Sequence, residues 1–282
     1  LRTSIRKNGT GSLALSVFIE IALLRIFAGS YSDILAVQVT GYFALFIGII
    51  ALVHHFVPSI ISHSTDHVHP YGYRKYSSLV SLFIAIIFIL ASLYILSEVH
   101  STVNGSNSLL PDTSIYILLL MSVILSVAIL KYCSLDEFDQ AGISHSFALK
   151  LDVMFSVLIA LTLFIQVSPT VLMLETVLLV LVLMKYCVSI VLMSCNVLCD
   201  ACCLDESNVR RLVRSIEGIE NCYKVRTHGS PDDLFVDIHV KVDSDIYVME
   251  AQRIVESIER KLKRTFTGIS DVLVHIEPPE RR

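Results

Sequence analysis

Long apolar runs fill the first two thirds of the chain, and shorter amphipathic patterns fill the rest. A helix needs about 20 mostly apolar residues to cross the hydrocarbon core of a bilayer. Six stretches approach that length: roughly 12–28, 33–53, 78–97, 113–133, 146–166 and 170–195. The first carries Glu20 and Arg25. Only Gln166-Val167-Ser168-Pro169-Thr170 separates the last two, which predicts a tight helical hairpin. Beyond residue 200 the period changes. Glu206–Ile219 has Val209, Leu212, Val213 and Ile216 at helical spacing. Leu234, Val236, Ile238, Val240 and Val242 alternate with Phe235, Asp237, His239 and Lys241, as in a half-buried strand. Val248–Phe266 carries an apolar stripe (Ala251, Ile254, Val255, Ile258, Leu262, Phe266) with charges opposite. Asp271–Ile276 reads as a short strand. The tail is therefore expected to run α-β-β-α-β in two layers.

Composition sharpens this division. Of 282 residues, 54% are hydrophobic and 17% charged, against about 45–50% and about 25% in soluble domains. Mean hydropathy is +0.68. Residues 200–282 hold 16 of the 26 acids and 13 of the 22 Lys and Arg. We therefore expect a membrane domain over 1–199 and a water-soluble domain over 200–282. A single soluble domain, a disordered chain and a secreted disulfide scaffold are excluded. With a net charge of −4 and no long basic run, nucleic acid is not an expected partner. Arg2, Arg6, Lys7, Arg74, Lys75, Lys131 and Lys150 lie on one side of the expected spans. The loops 29–33, 98–112 and 167–170 on the other side contain neither Lys nor Arg. By the positive-inside rule the protein is expected to be a multi-pass membrane protein with both termini cytosolic. Cys195, Cys199, Cys202 and Cys203 crowd at the junction, as reduced cytosolic thiols do.

Two stretches carry a signature. One is His69-Pro70-Tyr71-Gly72-Tyr73-Arg74-Lys75; the other is the tail, with VDIHVKVD at 236–243, EAQRIVESIERKL at 250–262 and VLVHIEP at 272–278. With six spans, the chain resembles the cation diffusion facilitator (cation efflux, zinc transporter) family from about Gly29 to Pro278. The resemblance implies six transmembrane helices and a cytosolic, ferredoxin-like α+β domain. It also implies a homodimer or a heterodimer with another family member, surrounded by membrane lipid. Its cargo would be Zn2+ or another divalent cation, exchanged for protons.

Family members bind the transported metal between paired Asp or His residues, four apart, on the second and fifth helices. Zn2+ takes four N, O or S ligands, and spacing of four puts two side chains on one helix face. Here the second-helix positions fall on Val39 and Phe43, or in the other register on Phe43 and Ile47. None is a ligand. On the fifth helix Asp152 matches, with Ala148 in its partner's place. His145, two turns earlier, and Gln38 offer substitutes. The residual transport site is thus Asp152 with His145. Asp152 also admits a plainer reading, a helix-start carboxylate stabilised by Lys150 or by partner polar groups. Glu175, 23 residues later, supports the register. Glu20 and Arg25, five apart, are expected to face polar neighbours or the interface and are assigned no functional role.

In the loop, Asp66 and His69 match two of three family ligands. Tyr73 replaces the third, and His63 and His67 lie close by. In the tail, His239, His275 and Glu277 match family metal positions, and residues two apart on a strand share a face. Tyr223 and Gln252 stand where other ligands are common. Lys75 and Asp200 match a family pair that pins the third helix to the end of the sixth. Cys195, Cys199 and Cys202 recur on one helical face, suited to a soft cation, to acylation or simply to packing.

Two functions follow. One is a dimeric metal/proton antiporter that moves divalent cations out of the cytosol. The alternative is a non-conducting partner or regulatory subunit of a competent family member, because the second-helix ligands are absent. No nucleophile–base pair or nucleotide loop is visible in the sequence, so an enzyme is not expected.

Overall fold

The structure, a computed structural model, describes residues 18–61, 67–69, 72–73, 75–102, 113–132, 145–166, 168–230 and 233–279. Contacts divide the chain into two units, Leu1–Ser194 and Cys195–Arg282.

The first unit is helical. α1 covers 18–31. It is followed by α2 (Leu35–Ile61), α3 (Lys75–Thr102), α4 (Thr113–Tyr132), α5 (His145–Phe164) and α6 (Pro169–Leu198). Helices thus stand at all six predicted places. Three of them, through Leu35–Val53, Lys75–Val99 and Thr170–Leu198, are long and apolar enough to cross a membrane. The apolar part of α4 is shorter, Ile115–Ile129.

Local chemistry sets the turns. Asp33 takes a left-handed φ of 54° between α1 and α2, and the Ile34 N–H closes on the Gly29 carbonyl at 3.1 Å. Gln166, also at φ 54°, ends α5. Pro169 then opens α6, where its missing N–H costs nothing. α1 and α2 pack at backbone distance. A Cβ on Gly29 would lie 2.4 Å from Gln38 N, and one on Gly41 would lie 2.6 Å from Ile26 Cγ1. Small residues let spanning helices approach this closely.

α2 packs on α3 and α5, and α4 packs on α5. The window Leu35–Val53 is 72% buried, against 28% for the α3 window, so α2 is internal and α3 peripheral. Phe83, Ile87, Leu90 and Tyr94 form an exposed stripe on α3, and Leu174, Leu178, Leu181, Val188 and Leu192 form one on α6. Apolar faces of that extent mark a lipid or protein contact rather than water.

The second unit follows the predicted order. α7 (Glu206–Arg214) precedes β1 (Asn221–Ser230) and β2 (Asp233–Lys241). α8 (Val248–Thr265) and β3 (Ile269–Glu277) complete it. The sheet order is β1-β2-β3, with β1–β2 antiparallel and β2–β3 parallel. The element order α-β-β-α-β is the one expected, and the sheet is mixed, with β2 and β3 hydrogen-bonded directly to each other in parallel across the α8 crossover. Asp205 caps α7 by accepting from Ser207 N at 3.3 Å. The alternation seen in the sequence is real. Leu234, Val236, Ile238, Val240 and Val242 are buried. Val236, Ile238, Val240 and Val242 cluster with Val209 and Val213 of α7 and with Ile258 and Leu262 of α8. The other sheet face carries His239, Lys241 and His275.

Candidate functional site

Among the described residues the helical unit contains one buried ion pair. Arg25 on α1 is fully buried, and Asp152 on α5 is 1% exposed. A single Nη1 of Arg25 donates to both carboxylate oxygens, at 2.9 and 3.0 Å. Nε donates to Ser122 Oγ at 3.1 Å and Nη2 to Ser126 Oγ at 3.0 Å, both on α4. Ser122 sends its own proton to the Leu119 carbonyl at 2.8 Å, which leaves a lone pair for Arg25. Such a pair does not by itself stabilise a fold. Removing one partner, however, costs about 3–5 kcal/mol, because the other charge is stranded in a dry core.

This narrows one sequence reading and corrects another. Of the partners expected for Asp152 it is a polar group, Arg25, and not the exposed Lys150 that holds it, and Arg25, which does face polar neighbours, has a role. Charges inside a membrane bundle are costly and pair with one another. That rule was the available signal: α1 and α5 each place a charge among apolar residues. A search for metal-ligand spacing passes over it.

The other expected contributors are placed as follows. Val39, Phe43 and Ile47 are buried apolar core, so α2 brings no ligand in either register. Gln38 spends its amide on Tyr42 OH at 3.1 Å. His145 is the first residue of α5, and its side chain lies outside the described residues. Glu175 on α6 is buried, with Thr162 Oγ1 of α5 at 2.6 Å from its Oε1.

In the loop, His63 and Asp66 lie outside the described residues. His67 is exposed, and the His69 ring lies on Tyr73 with centroids 4.2 Å apart. Lys75 opens α3, and Asp200 follows α6 in a left-handed conformation with φ 55°.

In the C-terminal unit three predicted residues come together. Strand register sets Tyr223 opposite His239, and His239 opposite His275. The two imidazoles stack with centroids 4.7 Å apart. His239 Nδ1 lies 2.6 Å from Glu277 Oε1, and Tyr223 OH donates to Glu277 Oε2. Those two hydrogen bonds, Tyr223 first, hold the Glu277 carboxyl below its ordinary range. Gln252 reaches Glu256 on its own helix at 3.4 Å instead. Among the described residues no group of three or more His, Cys, Asp or Glu is arranged to hold a metal ion. The geometry is instead a hydrogen-bonded row across the sheet.

The cysteine stripe is interrupted. α6 ends at Leu198, so Cys202 is off the helix. Thr227 Oγ1 on β1 accepts the N–H groups of Cys203 and Leu204 at 3.0 and 3.2 Å and lies 3.2 Å from Cys202 Sγ. Burial, then neighbouring Cys202 and Asp200, push the Cys203 thiol up.

Comparison with known proteins gives the same reading of the tail. Residues 204–279 match the family model described as cation efflux protein, cytoplasmic domain. Metal tolerance protein C1 of Arabidopsis thaliana is 27% identical over 70 residues, 25% of this chain and 15% of that protein. Cation-efflux pump FieF of Citrobacter koseri is 30% identical over 67 residues, 24% of this chain and 22% of that protein. The matched stretch thus spans less than a quarter of either relative. A solved CzrB structure is 23% identical, covering 28% of this chain and all of that one at a TM-score of 0.26. A solved variant of the MamM C-terminal domain is 19% identical and covers 27% of this chain and 92% of that one at a TM-score of 0.25. The likeness rests on the sequence match alone, and it lies in residues 204–279, which match the cytoplasmic domain of cation efflux proteins.

Proposed function

We propose that this protein is a multi-pass membrane subunit of a divalent-cation efflux system, and that it does not itself conduct. It dimerises through residues 200–282, with a second copy or with a conducting relative, and tunes that partner. The observation that carries this reading is α2. The positions where a carrier needs ligands are Val39 and Phe43, both 0% exposed. A site for Zn2+ or a similar cation needs four donors, and Asp152 supplies one carboxylate already held by a guanidinium.

In this reading the helical unit spans the bilayer six times, in contact with lipid, with both termini cytosolic. His239, His275 and Glu277 form a regulatory metal site once Glu277 leaves Tyr223. Asp66, His69, His63 and His67 form a second one. The conducting antiporter is the second reading. What favours it is that an acid, Asp152, stands on α5 where the family binds cargo, with His145 two turns away.

The experiment is zinc flux into proteoliposomes. The subunit reading expects none from the protein alone, and altered flux when a competent relative is co-reconstituted. Robust flux from the protein alone, abolished by Asp152→Ala, refutes it.

A further inference from the structure

We infer that Asp152, Ser122 and Ser126 form a seat for one planar monocation, which the chain fills with its own Arg25 guanidinium. The inference deepens the non-conducting reading and rests on it for the meaning of the site, but its chemistry stands separately.

The lining is all acceptor. Asp152 gives two oxygens to Nη1, Ser122 one to Nε, and Ser126 one to Nη2. Each of the three nitrogens thus meets its own acceptor, as suits the spread donors of a planar guanidinium. Ser122 and Ser126 are both buried, at 3% and 0% exposed. Charge balance points the same way. One carboxylate neutralises one positive charge, whereas a divalent ion here would leave a net +1 in an apolar bundle, which is costly. The donors are oxygen only, with no imidazole or thiol, so the seat lacks the softer ligands that favour Zn2+.

Tethering makes the occupancy permanent. Arg25 is carried on α1, which Gly29 and Gly41 hold against α2 at backbone distance. Its pairing with Asp152 is intramolecular, so a free cation must displace a group already seated there. The guanidinium also joins α1, α4 and α5 through one group. A carrier must let such helices separate in turn; here they share a buried ion pair. The seat thus acts as an internal lock and as a barrier to cargo.

The test is chemical rescue, read as thermal unfolding of the full-length protein in detergent. Arg25→Ala should lower the midpoint. Millimolar guanidinium should raise it saturably, and equal NaCl or tetramethylammonium should not. Arg25→Ala/Asp152→Asn, which strands no charge, should lie above the single variant and ignore guanidinium. Where Arg25→Ala does not fold, Arg25→Gln replaces it. In either case a double variant no more stable than the single one refutes the pairing. Equal guanidinium response in single and double variants overturns the seat, as does a larger stabilisation of Arg25→Ala by ZnCl2 than by guanidinium. The two readings separate cleanly. Zinc flux by the unaltered protein would remove the non-conducting reading, and with it the barrier to cargo, and leave the seat. Failure of rescue would remove the seat and leave that reading.

Discussion

Replacing Gly41 by alanine tests what holds the ion pair in place. A Cβ built there falls 2.6 Å from Ile26 Cγ1, 2.7 Å from Ile26 N and 2.9 Å from Ala22 O. Two of these atoms are backbone of α1, so no side-chain rotation relieves them. Non-bonded atoms settle at about 3.5–4.0 Å, so α1 must retreat from α2 by about 0.8 Å. Arg25 is the residue before Ile26, and its Nη1 sits 2.9 and 3.0 Å from the Asp152 oxygens. If α1 moves as a body, those bonds stretch to about 3.7 Å, past hydrogen-bonding distance. Overpacking alone costs about 1–3 kcal/mol. Weakening the buried pair adds part of the about 3–5 kcal/mol that breaking it would cost. A total of about 2–5 kcal/mol corresponds to a fall in unfolding midpoint of about 5–15 °C in a domain of this size. The assay is thermal unfolding in detergent at one heating rate, followed by helical circular dichroism. Gly48→Ala is the control. Its Cβ would lie 3.3 Å from Ile19 Cγ1 and Phe18 Cδ1, side-chain atoms that can turn aside. It should stay within about 1 kcal/mol of the unaltered protein. Equal midpoints for Gly41→Ala and the unaltered protein, or equal losses in both variants, would refute the reasoning.

Three further outcomes are expected. Glu277 is held below its ordinary range by Tyr223 and His239. Its contribution should be fully present above the unfolded carboxylate value of about 4.3 and fade as pH falls through the lower folded value. Glu277→Gln should flatten that acid limb of the stability–pH curve, and an unchanged limb would count against the row. Cys222 is buried, and desolvation pushes its thiol up. Alkylation at pH 8 followed by mass spectrometry should therefore label exposed Cys199 well before Cys222. Leu262→Ala removes a 0% exposed side chain from beneath the sheet. It should cost about 2–5 kcal/mol in denaturant unfolding of the C-terminal unit, and a smaller loss would mean that α8 packs differently.

The tail was legible because its patterns are local. Alternation from Leu234 to Val242 assigns each side chain to a sheet face, and β2 buries the members of the set expected to be buried. The resemblance aligned His239, His275 and Glu277 with metal positions, and strand register does bring them together. What it could not supply was the hydroxyl of Tyr223, which occupies one oxygen of Glu277. Strand-to-strand pairing decides that contact, and pairing partners are not visible within one strand. The cysteine stripe failed for a related reason. A spacing of 195, 199 and 202 describes one helix face only while the helix lasts, and α6 stops at Leu198 with Asp200 left-handed.

The bundle is harder to read, since apolar residues are acceptable on every face of a spanning helix. The patterns of α3 and α4 therefore carry little directional information, and neighbours cannot be assigned from them. Charges are the exception. Arg25 and Asp152 are 127 positions apart, and no motif links them. Yet a buried base and a buried acid in one bundle each need a counter-ion, and each is the other's cheapest solution. Searching α2 for ligands asks which residues can accept a metal. Asking which charges must already be satisfied leads from Asp152 to Arg25, and makes the apolar Val39 and Phe43 consistent with the rest of the bundle. A site whose carboxylate is neutralised by its own chain needs no ligands from α2.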